Sequence, residues 1–514
     1  MDKEKIEVTA ADQLPFAQRI TKDAIAGFLV FLIALPLCLA IAKASGYPPI
    51  GGVFTAIVGG ILVSFISNSE LTIKGPAAGL IVIVAGCVAD FGGTFGKDAA
   101  ADFSAYRMAL AVGAVAAVLQ ILFGLFRAGK LGDFFPTAVV HGLLASIGVI
   151  IMVKSGLTML GVTAKLPQEN THLIWEYPHF VTLYNLPIAI IGVTSLAIMI
   201  VYPMLKLKAL KAIPSQVVVL LVAIPLAMGL GLKQPSAEEV AAAQSTSAAA
   251  AQSASAAAAT AAPAPAPAAD GKTASEHAPP PAEPIDPQHA ITLSGKQWSL
   301  NPAKFLINVP SDFTKAFVFP DFTAFNRPAI AIKWVVMFAI IASLESLLSA
   351  KAVDLLDPQK RKTDQNRDLF GCGMANLVAS CIGGLPMISE IVRSRANVDN
   401  GAQSRFANLF HGLFLLLFVS LLPFVVNMIP TAALAAMLVF TGFRLAHPRE
   451  FAHMYKIGIE QFIVFVTTIV AIVCTDLLVG ALIGLVVEMV VNVLNGLPIM
   501  SVFSSRPQIT ESGD

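Results

Sequence analysis

Long apolar stretches recur along almost the whole chain, and they constrain the fold more than any other feature of the sequence. Residues 24–42 and 461–474 are two examples. A helix of roughly 20 apolar residues crosses the hydrocarbon core of a bilayer. Only 13% of the 514 residues are charged, whereas soluble domains carry about 25%. The sequence therefore predicts an all-α polytopic membrane protein and argues against a soluble enzyme.

Fourteen segments meet this criterion when interrupted and half-length stretches are included. The third and the tenth are short. The predicted segments are 24–43, 50–67, 76–90, 105–127, 137–159, 185–205, 214–232, 329–350, 368–384, 387–399, 406–427, 430–446, 460–475 and 477–496.

Composition divides the chain into a cytoplasmic N-terminus, seven segments, a long external loop, seven more segments and a cytoplasmic tail. The corresponding residues are 1–23, 24–232, 233–327, 328–496 and 497–514. The loop begins with an Ala/Ser/Pro tract that lacks the apolar side chains needed to offset the entropy of ordering. We therefore predict a disordered tether over residues 234–289, with partner binding by the tract as the alternative.

The placement of Lys and Arg indicates the orientation, because short cytoplasmic loops of membrane proteins are enriched in these residues. With the N-terminus inside, most Lys and Arg residues of the short loops fall on the cytoplasmic side. Residues 1–22 are polar and of mixed charge, unlike a cleavable signal peptide. We predict a multi-pass protein of the plasma membrane, the inner membrane of a bacterium, with both termini in the cytoplasm.

Glycine and proline interrupt the chain at corresponding places in the two halves. Residues 71–79 (LTIKGPAAG) open the third segment and residues 383–390 (GGLPMISE) open the tenth. Paired interruptions of this kind indicate half-helices that begin near the middle of the membrane and face one binding site. Helix N-termini attract anions through their unpaired N–H groups and the helix dipole. We therefore predict an anion site between these segments, with the anion held by backbone N–H groups after Pro76 and Pro386.

Other classes of function lack support in the sequence. The net charge is +1, and the basic residues are scattered, so nucleic acid is not expected as a partner. The five cysteines form no CxxC pair, and the eight histidines form no HExxH motif. We predict neither an enzyme nor a bound cofactor.

Glu345 stands in the middle of an apolar run, where an unpaired charge costs several kcal/mol. Ser349 follows four residues later and lies on the same face of the helix. Carboxylate and hydroxyl oxygens suit a hard cation such as Na+. The pair therefore predicts a site for a coupling ion, Na+ or H+, with a structural, salt-bridged glutamate as the alternative.

Several short stretches connect the chain to a known family. They are 34–40 (ALPLCLA), 74–78 (KGPAA), 345–350 (ESLLSA), 366–370 (NRDLF), 373–376 (GMAN), 383–386 (GGLP) and 393–402 (RSRANVDNGA). In order and spacing they resemble the sulfate permease (SulP) family of anion transporters. The resemblance implies a seven-plus-seven inverted repeat, a core domain that moves against a gate domain like an elevator, half-helices at segments three and ten, and a homodimer.

The interruptions and the resemblance together assign the anion site. Arg393 matches a basic position near the anion cavity of the family, although an anchor at the end of the segment is the alternative. Glu390 would neutralise Arg393 if the two form an i,i+3 pair. The residues that we expect to bind the anion are Gly75, Pro76, Ala77, Ala78, Ile388, Ser389, Glu390 and Arg393.

The chain departs from the family pattern at four places. Few residues follow segment fourteen, so we expect no STAS domain. Leu37 and Cys38 follow Pro36 where sulfate-carrying members often have Gln. Lys74 and Glu390 replace small or apolar residues that are more usual there. For Lys74, an anchor at the cytoplasmic end and a guide for anions remain equal alternatives.

These observations predict a secondary active transporter of a small inorganic anion. Na+-coupled uptake of bicarbonate is the first hypothesis, because the Glu345/Ser349 pair is present and the first segment lacks Gln. Proton-coupled sulfate import is the second. An uncoupled anion channel or a voltage-responsive membrane motor, and a nucleobase carrier, are further alternatives. The expected partners are the anion, the lipid bilayer and a second copy of the chain.

Overall fold

The computed structural model describes residues 15–96, 98–130, 136–164, 166–167, 169–205, 213–232, 290–293, 296–310, 312–475 and 477–495. The predicted tether and cytoplasmic tail, residues 234–289 and 497–514, lie outside the described residues. Most of the predicted cytoplasmic N-terminus, residues 1–23, lies outside the described residues as well.

Helices make up most of the described chain. They are α1 (Phe16–Ala44), α2 (Pro49–Ile66), α3 (Ile81–Asp90), α4 (Ala99–Leu125), α5 (Thr137–Met159), α6 (Asn170–Trp175), α7 (Tyr177–Thr182), α8 (Leu186–Val201), α9 (Ser215–Gly229), α10 (Pro302–Phe305), α11 (Pro328–Leu356), α12 (Gln365–Ile382), α13 (Ile391–Asp399), α14 (Phe406–Leu421), α15 (Pro423–Asn427), α16 (Thr431–Leu445), α17 (Pro448–Ile457), α18 (Ile459–Cys474) and α19 (Leu477–Leu494). The strands are β1 (Ile73–Pro76), β2 (Ala290–Leu293), β3 (Lys296–Ser299) and β4 (Met387–Glu390).

The lengths of the helices agree with a membrane protein. Six of the described helices are long and apolar enough to cross a bilayer, and five more apolar helices are shorter. A helix lies in each of the fourteen predicted segments. The prediction of a mostly helical, multi-pass membrane protein is therefore confirmed.

Local sequence signals explain where several helices begin and end. Pro328 occupies the first turn of α11, where its missing N–H leaves no hydrogen bond unmade. The Asp364 side chain accepts hydrogen bonds from the first N–H groups of α12, and Gly383 ends that helix in a left-handed conformation with φ 99°. These signals determine where the chain leaves α12 and enters the extended segment before α13.

The helices pack as two bundles. The first bundle contains α1 to α4 and α11 to α14, and the second contains α5, α8, α9, α16, α18 and α19. Glycines allow close helix crossings in both. A Cβ on Gly60 would lie 2.7 Å from the Cα of Gly412, and a Cβ on Gly148 would lie 2.6 Å from the carbonyl oxygen of Gly442. Small residues at crossings are typical of helix packing in membranes.

A two-stranded antiparallel sheet joins the two halves of the sequence inside the first bundle. β1 pairs with β4, and Lys74 lies opposite Ser389 while Pro76 lies opposite Met387. Extended backbone at membrane depth needs hydrogen-bond partners within the protein. The pairing of the two strands supplies some of them, and side chains of the first bundle supply others, among them Asn376 and Ser346 for the N–H groups of β4. The all-α prediction contains no strands, because a Gly/Pro interruption predicts a break in a helix and does not reveal that two such breaks, distant in the sequence, pair with each other.

A segment on one side of the molecule contacts both bundles. We call residues 299–310 and 312–326 the linking segment. Towards the second bundle, α10 packs against α16, and the N–H of Ile307 donates to the carbonyl oxygen of Ile429, just before α16, at 3.1 Å. On the first bundle, the N–H of Asp321 donates to the carbonyl oxygen of Arg107 at 2.9 Å. The linking segment therefore bridges the two bundles.

Candidate functional site

A cavity of about 230 Å³ lies where the two bundles meet. Apolar side chains of α1, α5, α11, α16 and α19 form most of its wall. The charged side chains in the wall are Glu345, Glu390 and Arg393, and Ser349 and Thr441 add hydroxyl groups. The cavity has room for a small solute and offers it few polar side chains.

The third segment contributes backbone to this cavity. After β1, a 3₁₀ turn over Ala78–Leu80 leads into α3, and no side chain caps its start. The first N–H groups of a helix have no partner within it. Ala78 and Gly79 line the cavity, and the carboxylate of Glu390 interacts with the backbone N–H of Ala78. Gly75, Pro76 and Ala77 are also buried, but they lie behind the cavity wall.

The tenth segment contributes Arg393. This side chain is 1% exposed, and its Nη2 donates to the carbonyl oxygen of Pro76 at 3.1 Å. Its Nη1 lies 3.5 Å from the Sγ of Cys38, and no acceptor pairs with its Nε. An anchor at the end of the segment does not fit this burial. The position of Arg395 does fit that role, because its exposed side chain pairs with Asp399 at 3.8 Å.

Arg393 makes no ion pair with Glu390, because its guanidinium turns towards Pro76 and the first half of the chain. Both side chains nevertheless line the same cavity, and their charges are close enough to interact. The neutralising i,i+3 pair is therefore replaced by a looser interaction of the two charges. The predicted contacts of both residues with the anion stay predictions.

Lys74 occupies neither of the positions considered for it. Its side chain is 1% exposed, and its Nζ lies 2.7 Å from Oδ1 of Asp368, which is also 1% exposed. The same Nζ donates to the hydroxyl of Ser389. Lys74 is thus ion-paired inside the first bundle, and it neither reaches the membrane surface nor lines the cavity.

Ser389 also lies behind the cavity wall. Its hydroxyl interacts with Lys74, Asp368 and Ser346, while its neighbours Ile388 and Glu390 line the cavity. Asp368 and Ser346 were missed in the sequence. Asp368 stands at the start of a predicted segment, where an acidic residue indicates only an end, and Ser346 resembles any small residue of an apolar helix. The NRDLF stretch is the signal that would have pointed to Asp368.

Glu345 and Ser349 both line the cavity from α11, one helical turn apart. No hydrogen-bond donor pairs with Oε2 of Glu345. The carboxylate packs against Gly79, where an added Cβ would collide with it. Its alternative role as a salt-bridged structural glutamate does not fit, because no basic residue of the described chain forms an ion pair with it. A carboxyl group in this setting is protonated or bound to a cation.

No group of three or more His, Cys, Asp or Glu residues suited to a metal ion occurs in the described part of the chain. The Glu345 and Ser349 side chains offer a cation one carboxylate and one hydroxyl. Oxygen ligands of this kind suit hard cations.

Comparisons with known proteins agree with this architecture. The sequence profile of the Sulfate permease family matches residues 20–248 and 290–468. A Bacillus subtilis protein named "Putative sulfate transporter YvdB" is 26% identical over 474 residues, which cover 92% of this chain and 73% of that protein. The bicarbonate transporter BicA of Picosynechococcus is 28% identical over 144 residues, which cover 28% of this chain and 25% of BicA.

A solved structure shares the fold. The transmembrane domain of a cyanobacterial bicarbonate transporter BicA superimposes with a TM-score of 0.63 at 18% sequence identity, covering 93% of this chain and 98% of that one. The profile match extends over well more than half of the chain. The chain therefore belongs to the sulfate permease family, a family of membrane anion transporters rather than enzymes.

Proposed function

We propose that this protein is a secondary active transporter that couples uptake of a small inorganic anion, bicarbonate first, to entry of Na+. The observation that carries the proposal is Glu345, a partly buried residue whose Oε2 atom is buried and has no hydrogen-bond partner. It lies on the same cavity as Arg393 and the starts of the third and tenth segments. Cation and anion would therefore bind side by side.

The anion would bind at the first turns that follow the two strands. In β4, Met387 and Ser389 use their N–H groups inside the protein, donating to Asn376 Oδ1 and Ser346 Oγ. The free donors expected after Pro386 are therefore those of the first turn of α13, because such groups have no partner within a helix. Together with the start of the third segment and the Arg393 guanidinium, they would supply hydrogen-bond donors and one positive charge to a site whose wall also carries Glu345 and Glu390. A small oxyanion suits it better than a planar nucleobase, which needs several side-chain hydrogen bonds.

The cation would bind at Glu345 and Ser349 and make anion binding favourable. An ionised Glu345 without a cation lies against Gly79 and would repel an anion at the start of the third segment. A bound Na+, or a proton, removes that repulsion. Each ion then raises the affinity for the other by the same factor, as linkage requires.

The arrangement of the bundles supports alternating access. The cavity lies at the boundary between the first bundle, which carries the ion ligands, and the second bundle. We propose that the first bundle is the moving core, the second is the gate, and the fourteen segments form a seven-plus-seven inverted repeat with half-helices three and ten. A homodimer in the bacterial inner membrane with cytoplasmic termini completes this proposal.

Proton-coupled sulfate import is the second candidate. YvdB, whose similarity covers most of both chains, carries a sulfate name, and a carboxyl without a partner at Oε2 also suits a protonated Glu345. The two candidates share the site and differ in the cation and the anion.

The test is uptake of labelled bicarbonate and, separately, labelled sulfate into proteoliposomes, with and without an inward Na+ gradient or pH gradient. The native chain is compared with Glu345→Gln, which keeps the shape of the side chain and removes its charge. Glu488→Gln is the matched control, because Glu488 is a buried glutamate of α19 that does not line the cavity and accepts hydrogen bonds from Gln461 and Asn492.

The expected result is Na+-dependent uptake of bicarbonate by the native chain and by Glu488→Gln. Glu345→Gln is expected to lose this uptake. Sulfate uptake driven by the pH gradient and indifferent to Na+ would replace the first candidate with the second. Flux of either anion that needs no cation and does not saturate would indicate an uncoupled channel and overturn both.

A further inference from the structure

We infer that Ser346, Ser389 and the Lys74–Asp368 pair form a positioning relay through which the cation site on α11 controls the backbone of β4, next to the anion site. This inference rests on the proposed function, since it describes how the two ions sense each other. None of these side chains lines the cavity. They act on the ions through the backbone they hold.

The relay begins beside the cation site. Ser346 follows Glu345 directly and lies within the helical turn that joins Glu345 to Ser349. A cation that draws those two side chains together changes the position of this turn. The Ser346 hydroxyl accepts a hydrogen bond from the backbone N–H of Ser389 at 3.2 Å. Movement of Ser346 therefore acts first on β4.

The relay continues to the first half of the chain. The Ser389 hydroxyl lies 3.1 Å from the Ser346 hydroxyl and 3.2 Å from Oδ2 of Asp368. Lys74 donates to both Ser389 and Asp368. Lys74 is also the residue opposite Ser389 in the β1–β4 sheet. The side-chain network and the backbone sheet therefore hold the same two strands in register.

The directions of the hydrogen bonds follow from the chemistry of the groups. A carboxylate only accepts and an ammonium only donates. The contact of Ser389 with Asp368 therefore uses the one hydroxyl hydrogen of Ser389. Ser346 must then donate its hydrogen to Ser389, and its lone pairs accept from the Ser389 N–H and from the Cys372 thiol, 3.5 Å away. The two hydroxyl groups therefore donate in sequence, Ser346 to Ser389 and Ser389 to Asp368, and such chains strengthen their members cooperatively.

Burial makes the relay sensitive to any loss. Ser346, Ser389, Lys74 and Asp368 are each at most 1% exposed. Without the Ser346 hydroxyl, the N–H of Ser389 has no acceptor and no access to water, so β4 shifts to find one. Ile388 and Glu390, on either side of Ser389, line the cavity. The shift therefore changes the part of the cavity wall that β4 forms. That part of the wall then no longer responds to cation binding at Glu345.

The experiment measures the coupling itself. Calorimetry gives the dissociation constant of the purified, full chain for bicarbonate with and without saturating Na+. For sulfate, it is measured at a pH at which Glu345 is protonated and at a pH at which Glu345 is ionised. The ratio of the two constants is the coupling factor, typically about 5 to 150 in coupled proteins. The native chain is compared with Ser346→Ala, Ser346→Thr and Ser389→Ala.

The matched control is Ser343→Ala. Ser343 is a buried serine on the same helix, and its hydroxyl has no hydrogen-bond partner. The control therefore removes the same atom from the same helix without removing a hydrogen bond. It keeps the native coupling factor, and Ser346→Thr, which retains a hydroxyl, keeps most of it.

Ser346→Ala is expected to bring the coupling factor close to one while the anion still binds. Ser389→Ala keeps the backbone N–H that Ser346 accepts but breaks the path to Asp368, so its coupling factor falls part of the way. It also tests the relay if Ser346→Ala does not fold.

Three outcomes would contradict the relay. A native coupling factor in both alanine variants refutes it and leaves the proposed function intact. Equal weakening of anion binding with and without the cation shows a purely structural role. A native chain in which neither Na+ nor pH alters anion affinity overturns the proposed function, and the relay falls with it.

Discussion

Lys74 and Asp368 bring opposite charges from the two halves of the chain to 2.7 Å in a region closed to water. Removing two charges from water costs several kcal/mol each, and the attraction between them offsets this cost only when further hydrogen bonds complete the site. Asp368 accepts from Ser67 as well as from Lys74 and Ser389. The pair is thus fully hydrogen-bonded, and its energy depends on both members being present.

Lys74→Met is expected to lower the free energy of unfolding by about 3–5 kcal/mol, because it leaves Asp368 as an unpaired buried charge. Thermal unfolding in detergent measures the change. The double variant Lys74→Met/Asp368→Leu is expected to be more stable than Lys74→Met alone, since it removes the unpaired charge. The single variant Asp368→Leu completes the comparison. A double variant whose loss of unfolding free energy equals the sum of the losses of Lys74→Met and Asp368→Leu would contradict a coupled pair.

Lys333→Met is the control for this prediction. Lys333 lies 3.4 Å from Asp90, but the two side chains are 36% and 40% exposed. Exposed ion pairs contribute about 0–1 kcal/mol. A loss as large as that of Lys74→Met would show that burial is not the reason for the difference.

The close contact between Gly75 and the guanidinium of Arg393 leads to a second prediction at the residue scale. A Cβ on Gly75 would collide with Nη1 of Arg393, so Gly75→Ala displaces the guanidinium from the cavity wall. Losing a charge-assisted hydrogen bond of about 1.5–3 kcal/mol raises the KM for the anion roughly tenfold or more. Labelled-anion uptake into proteoliposomes at several concentrations measures this KM.

Gly229→Ala provides the comparison, because an added Cβ at Gly229 meets nothing within 4 Å. Its KM is expected to match that of the native chain. A native KM for Gly75→Ala as well would show that the position of Arg393 does not matter for anion binding.

At the scale of elements, the β1–β4 sheet connects the third and tenth segments, and the linking segment connects the two bundles. The sheet satisfies extended backbone inside the first bundle and carries the starts of the third and tenth segments with it. The linking segment contacts both bundles through backbone hydrogen bonds. Near its contact with the start of α16, the linking segment is held by Asn427 of α15. The Asn427 side chain accepts from the N–H of Val309 at 2.7 Å and donates to the carbonyl oxygen of Val309 at 2.9 Å.

Asn427→Ala is expected to loosen the linking segment where it contacts α15 and the start of α16. The two lost hydrogen bonds correspond to about 1–3 kcal/mol of local stability. Hydrogen exchange followed by mass spectrometry is expected to show faster exchange in residues 306–310, with residues 318–321 unchanged. Asn400→Ala removes a hydrogen bond from an exposed side chain, so exchange of the linking segment stays as in the native chain. Unchanged exchange in Asn427→Ala would show that other contacts hold this end.

The whole molecule consists of two bundles with the cavity at their boundary, and its orientation in the membrane is a prediction from the Lys and Arg distribution. Lys296 lies in β3, within the predicted external loop, and Arg449 lies in α17, within a predicted cytoplasmic loop. Both side chains are exposed. They are therefore suitable positions at which to test the orientation.

Lys296→Cys is expected to react with a membrane-impermeant maleimide in intact cells, and Arg449→Cys only after the cells are permeabilised. Both are made in a Cys474→Ser background, because Cys474 is an exposed native cysteine. The single Cys474→Ser chain measures labelling of the remaining cysteines. The opposite pattern of labelling would place both termini outside and refute the predicted topology.

Sequence patterns predicted the features that depend on neighbouring residues. Apolar runs gave the helices, because the preference for lipid is a property of each stretch of about 20 residues. The Gly/Pro interruptions were found in both halves, although they form paired strands as well as helix starts. Glu345 could be singled out because a carboxylate in an apolar run is conspicuous wherever the run packs. Lys74 was misplaced, because the same sequence suits a membrane end and a buried ion pair.

The sequence by itself determined that this chain is a multi-pass helical membrane protein of the sulfate permease type with an acidic residue inside the membrane. The reason is that hydrophobic runs, helix breaks and short motifs depend only on residues that are close together in the sequence. Only the tertiary structure decided that Lys74 meets Asp368, 294 positions away, and that Arg393 reaches Pro76, 317 positions away. These partners depend on how the two halves pack, and a packing arrangement is a property of the whole chain that no local pattern contains.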